Sequence, residues 1–81
     1  MEHAPNRGKV RWRMMRRGLL ELDLVFERFL SKHFDALDDA QLAALDRLLD
    51  WEDTDLWQVV SGRRECDELQ FKELVDLLRA G

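Results

Sequence analysis

From Gly18 onward the apolar residues fall three or four positions apart, and nowhere in the chain do they alternate with period two. That spacing gathers side chains into one stripe of a helix and argues against a half-buried strand, so the apolar surface must be buried helix against helix. Leu19, Leu22, Phe26, Phe29, Leu30, His33 and Phe34 form the first stripe and predict a helix over 19–36. In "DDAQLAALDRLLD", Asp38 followed three residues later by Gln41 has the pattern of a capping box, and Leu42, Leu45, Leu48 and Leu49 line a helix over 39–50. "DTDLWQVVSG" offers Asp53 or Thr54 as a cap, Leu56, Val59 and Val60 as an inner face over 54–61, and Gly62 as a stop. "CDELQFKELVDLLRAG" repeats the capping logic with Asp67 and Gln70, and Phe71, Leu74, Val75 and Leu78 line a helix over 67–79. With a basic helix over 7–16, the expected fold is all-α: a compact five-helix bundle forming a single domain over 1–81, with 1–6 frayed.

A chain of 81 residues buries only about 60% of the surface its unfolded form exposes, which leaves little room for a deep, water-excluding catalytic cavity. Cys66 is the only cysteine, so there is neither a disulfide framework nor a cysteine-rich zinc site. His33 lies within an apolar stripe and reads as a packed side chain, while His3 sits in the frayed start and supplies no partner. Asp53 and Asp55 in "DWEDTDLW" suggest a calcium loop, but Trp57 and Gln58 stand where such a loop needs an oxygen ligand and then a glycine. No phosphate-cradling glycine loop, nucleophile elbow or convincing carboxylate pair occurs elsewhere. The chain therefore reads as a binding module without catalytic residues, metal or stably held cofactor, and not as an enzyme. No apolar run approaches the roughly 18 residues of a membrane span, and "MEHAPNRGKVRWR" lacks the core of a signal peptide, so a cytoplasmic protein is expected.

Charge divides the chain. Arg7, Lys9, Arg11, Arg13, Arg16 and Arg17 stand against Glu2 in residues 1–18, which are net +5, whereas the rest is net −9. A basic head of this kind either folds onto the acidic body or offers a cationic patch to a partner. The junction is "MMRRGLLELD". Gly18 can take positive φ, end one helix and admit a second backbone. If it is the N-cap of the next helix, Glu21 falls at the third helical position, where its carboxylate complements the dipole. Arg17 reads either as a solvated arginine in a last turn or as a contact residue. Leu20 and Leu24 project away from the Leu22/Phe26/Phe29 face, beside Glu21 and Arg28. Either the helix buries two faces or these leucines flank a docking patch.

"RRGLLELDL" resembles the Arg-Gly-x-x-Glu signature of the SdhE/YgfY family, small assembly factors for the flavoprotein subunit of succinate dehydrogenase. The similarity extends along the chain: a basic helix with Trp12 precedes the signature, "FLSKHFDAL" ends the second helix, "LDDAQ" is similar to the family's next helix start, and "LLDWEDTDL" to its Leu-Leu followed by Asp-x-Asp-Leu. Val59 stands where members carry an aromatic residue, and "SGRREC" lacks the proline common before the last helix. The resemblance implies a five-helix fold and a role in covalent attachment of FAD to a histidine of the flavoprotein of succinate dehydrogenase, fumarate reductase or both. FAD would be held by the client, and this chain would act as a monomer in the bacterial cytoplasm. Arg17, Gly18 and Glu21 would form the client-contacting surface, with Arg16, Leu20 and Leu24 as further candidates. Two rivals carry different partners. One is a nucleic-acid-binding module using the basic helix around Trp12, against which the sequence pI of about 5.1 argues; the other is a small regulatory or toxin-neutralising protein.

Overall fold

The computed structural model describes residues 5–80. Among the described residues five α-helices succeed one another, α1 (Arg7–Met15), α2 (Leu20–Lys32), α3 (Asp39–Leu48), α4 (Asp53–Val60) and α5 (Leu69–Ala80), with one 3-10 turn, Phe34–Ala36, between α2 and α3. Central to the bundle, α2 packs on α1, α4 and α5, while α3 closes against α1 and α5. A radius of gyration of 11.7 Å matches the roughly 12 Å expected for a single packed body of this length.

The predicted stripes are the core. Leu22, Phe26, Phe29 and Phe34 meet Leu42, Leu45, Leu48 and Leu49, then Leu56, Val59 and Val60, and finally Phe71, Leu74, Val75 and Leu78. Val10 and Met14 add the inner face of α1, and every buried side chain among the described residues is apolar. His33 lies half-buried at the end of α2 with its ring 5.7 Å from that of Phe29.

Several boundaries differ from the expectation, each for a local reason. The stripe over 19–36 is continuous, but the helix is not. At His33 the backbone leaves helical values, with φ −124° and ψ −24°, and the tighter turn after it carries Phe34 into the core. Arg7 holds that turn by donating to the carbonyls of Phe34, at 3.0 Å, and of Leu37. The Asp38–Gln41 capping box is present, and Gln41 Nε2 also reaches Glu73 Oε1 at 2.8 Å, tying the start of α3 to α5. Neither Asp53 nor Thr54 caps α4. Its N-cap is Glu52, with no side-chain cap, and the Asp53 carboxylate turns to Arg17 instead. Gly62 ends α4 with φ 84°, the left-handed value that favours glycine. Beyond it, Arg79 donates to the carbonyls of Val59 and Arg64 at 2.7 and 3.0 Å, and α5 begins at Leu69, later than the Asp67–Gln70 pattern implied. Of the stretch 1–6, residues 1–4 with His3 lie outside the described residues, and Asn6 caps α1 by accepting from the Lys9 N–H at 3.1 Å.

Phe29 is fully buried where α2 meets its neighbours. Phe29→Ala is expected to remove about 3–5 kcal/mol in urea unfolding, most of what a small domain has. A loss below about 1 kcal/mol would show that the core is arranged differently.

Candidate contact surface

The last carbonyls of a helix have no partners within it and carry the negative end of its dipole. At the end of α3, two arginines one turn apart supply the missing donors. Arg13, on α1, donates through Nη1 to the carbonyl and carboxylate of Asp46, at 3.0 and 2.6 Å, and through Nη2 to Asp50 Oδ1 at 2.6 Å. Burial works against its charge, but the hydrogen bonds to Asp50 and Asp46 outweigh that and hold its pKa above the ordinary value.

Arg17 follows α1 and reaches further. Nε donates to Asp53 Oδ1 at 2.7 Å, Nη1 to the Leu49 carbonyl and Nη2 to the Trp51 carbonyl at 2.6 Å. All three nitrogens are engaged, and the side chain is only 13% exposed. It is therefore not the solvated arginine of a last turn. One planar cation joins the end of α3, the connecting turn and the first residue of α4, the geometry for which a guanidinium suits better than an ammonium. Trp51 anchors the same turn from the other side, its ring edge-on to Phe71 at 5.7 Å.

With Arg17 turned inward, the residues after it face out. Gly18 is exposed, and its φ is not positive, contrary to the conformation considered from sequence. A Cβ built on it would meet no atom of the described residues within 4 Å. Nothing among the described residues demands a glycine there. The N-cap of α2 is Leu19, not Gly18, so Glu21 occupies the second helical position and not the third; it is exposed in the first turn, where its charge still complements the dipole. Leu20 and Leu24 are 68% and 56% exposed, one turn apart on the side of α2 away from the core. Burial of a second helix face is thereby excluded, and the two leucines form an open apolar ridge beside Gly18 and Glu21.

Arg16 is exposed and lies with its guanidinium 4.5 Å from the centre of the Trp12 ring, itself 58% exposed. Trp12, Arg16, Gly18 and Asp53 line a shallow groove whose buried side is the Arg17 clamp. From sequence Trp12 reads as the aromatic of a basic helix, and its spacing of four from Arg16 is the signal that the two stack. Asp53 left no comparable signal, because its partner lies 36 residues away. The arrangement has the features of a contact surface: a glycine with open space above it, two exposed leucines, an aromatic ring and one carboxylate, mounted on a rigid base.

Residues 8–81 match the Sdh5 family model, described as flavinator of succinate dehydrogenase. The FAD assembly factor SdhE of Xylella fastidiosa (strain 9a5c) is 36% identical over 80 residues, covering 99% of this chain and 81% of the relative. That of Legionella pneumophila (strain Lens) is 41% identical over 76 residues, covering 91% and 94%, and that of Vibrio cholerae is 34% identical over 80 residues, covering 99% and 92%. These matches span nearly the whole chain, and by them the chain belongs to the family of succinate dehydrogenase flavinators.

Proposed function

We propose that the chain is an assembly factor that binds the flavoprotein subunit of succinate dehydrogenase, and the corresponding subunit of fumarate reductase, and promotes covalent attachment of FAD. The observation that carries this reading is Gly18: a glycine unneeded for backbone conformation or internal packing, set between an inward clamp and an outward leucine ridge. Open space above a glycine allows a second backbone to come close. The family's description as flavinator of succinate dehydrogenase supports that enzyme as the client.

In this reading FAD stays with the client, in the cytoplasm, and the assembly factor acts as a monomer. Flavinylation joins a client histidine to the methyl carbon on the flavin ring, so the histidine and the ring must be held in contact. A surface that binds the flavoprotein best in that arrangement raises its population without contributing a reacting group. Gly18 sets the distance of approach, Leu20 and Leu24 bury against client apolar surface, and Glu21 accepts a client donor. Arg17 acts as a positioning residue through its hold on α3 and α4. Arg16, stacked on Trp12, offers the cation that Arg17 does not.

Three outcomes follow. Gly18→Arg should leave stability within about 0.5 kcal/mol of the parent while weakening flavoprotein binding at least about tenfold; an unfolded variant would make the glycine structural. Arg17→Ala should cost about 2–3 kcal/mol, lowering Tm by roughly 10 °C or more, and reduce binding as well; an unchanged Tm would contradict the clamp. Finally, each flavoprotein subunit expressed with and without this chain, then denatured, should show fluorescence of covalently held flavin chiefly in its presence. Equal signal in both would overturn the proposed role.

A further inference from the structure

Three guanidiniums line the shallow groove beside Gly18, and they differ in what they hold. Arg13 and Arg17 turn their donors to carbonyls and carboxylates of the acidic body. Arg16 does not. Among the described residues the one interaction of its guanidinium is with the Trp12 ring, and both side chains are exposed.

That contact holds Arg16 while leaving its donors open. A guanidinium carries its five N–H donors in its own plane, so a ring beneath it steadies the group without accepting any of them as a hydrogen bond. The Arg16 backbone N–H caps α1 by donating to the Trp12 carbonyl at 3.2 Å, which fixes the point from which the side chain extends. The negative end of the α1 dipole favours the charge there. A cation held in this way loses little conformational freedom when it takes up an anion.

The surroundings select a single carboxylate over a chain of phosphates. The groove ends on the Asp53 carboxylate, and Asp46 and Asp50 lie behind Arg13, so a polyanion would meet three carboxylates for one cation without an acidic partner among the described residues. An aspartate or glutamate matches that one charge, and its two oxygens accept parallel bonds from a guanidinium edge. Gly18 lines the same groove, so a client backbone that comes close over the glycine carries its neighbouring side chains to Arg16.

We infer that Arg16 receives an aspartate or glutamate side chain of the flavoprotein, with Trp12 as the positioning residue that holds the guanidinium for it. The contact presupposes the flavoprotein client proposed above and supplies its chemistry at this point.

The test measures binding of the flavoprotein subunit of succinate dehydrogenase, with and without FAD, to the full chain at low and high salt. Arg16→Gln should weaken binding at least about fivefold at low salt and flatten its salt dependence, with Tm within about 2 °C of the parent. Trp12→Leu should weaken binding as well, and in that background Arg16→Gln should cost less than in the parent, because the ring acts through the arginine. Arg16→Lys, mixed with the flavoprotein and treated with a carbodiimide that joins amines to carboxylates, should form an amide from position 16 to a flavoprotein aspartate or glutamate, identified by mass spectrometry. Parent-like binding and salt dependence in Arg16→Gln, full additivity with Trp12→Leu, or absence of the amide would overturn the inference. So would a loss confined to the FAD-loaded flavoprotein, which would assign the anion to the pyrophosphate of the cofactor. Failure of the parent chain itself to bind would overturn the proposed function and this contact together, whereas equal binding by the parent and Arg16→Gln would overturn the contact alone.

Discussion

The junction on which the candidate surface is mounted depends on one guanidinium. Arg17 bonds at once to the end of α3, to the turn after it and to the first residue of α4. Those three points would otherwise be a helix end with open carbonyls, a loop and a helix start without a side-chain cap. By joining them the arginine fixes where α1 stops, and therefore where Gly18 emerges. The same device recurs at smaller scale. Arg7 holds the turn after α2, Arg13 the end of α3 and Arg79 the end of α4. In each case a cation satisfies carbonyls at the negative end of a helix or turn, an arrangement favoured by both hydrogen bonding and the dipole.

This resolves the charge asymmetry of the chain. The basic head and acidic body serve an internal purpose for Arg7, Arg13 and Arg17, which bond to the body through carbonyls and the carboxylates of Asp46, Asp50 and Asp53. What remains outward, chiefly Arg16 on Trp12 with Lys9 and Arg11, is a smaller cationic surface than the sequence total suggests. That weakens a nucleic-acid reading and leaves a mixed surface of apolar, aromatic and charged groups, the composition that suits contact with a protein.

Much of the fold was legible because its signals are local. A period of three or four residues reports a helix face without knowledge of what covers it, and the Asp38–Gln41 box needs only four residues to be complete. Gly62 likewise declares its turn. Signals that depend on distant partners were not legible. The cap expected from Asp53 failed because Arg17 claims that carboxylate, and the break at His33 depends on a turn held by Arg7. Whether Leu20 and Leu24 would be covered turned on the presence of another helix over them, which periodicity does not report. The Arg-Gly-x-x-Glu stretch was recognisable by its order and spacing, but the division of labour within it, one arginine inward and one glycine and glutamate outward, required the fold.

In the proposed function an internally clamped Arg17 presents the segment from Gly18 to Leu24 to a flavoprotein. Hydrogen exchange of the chain, alone and mixed with the flavoprotein subunit of succinate dehydrogenase, tests it most directly. Amides from Gly18 through Leu24 should gain protection in the mixture while those of α5 stay unchanged. Protection confined to α5, or no change anywhere in the chain, would contradict the account.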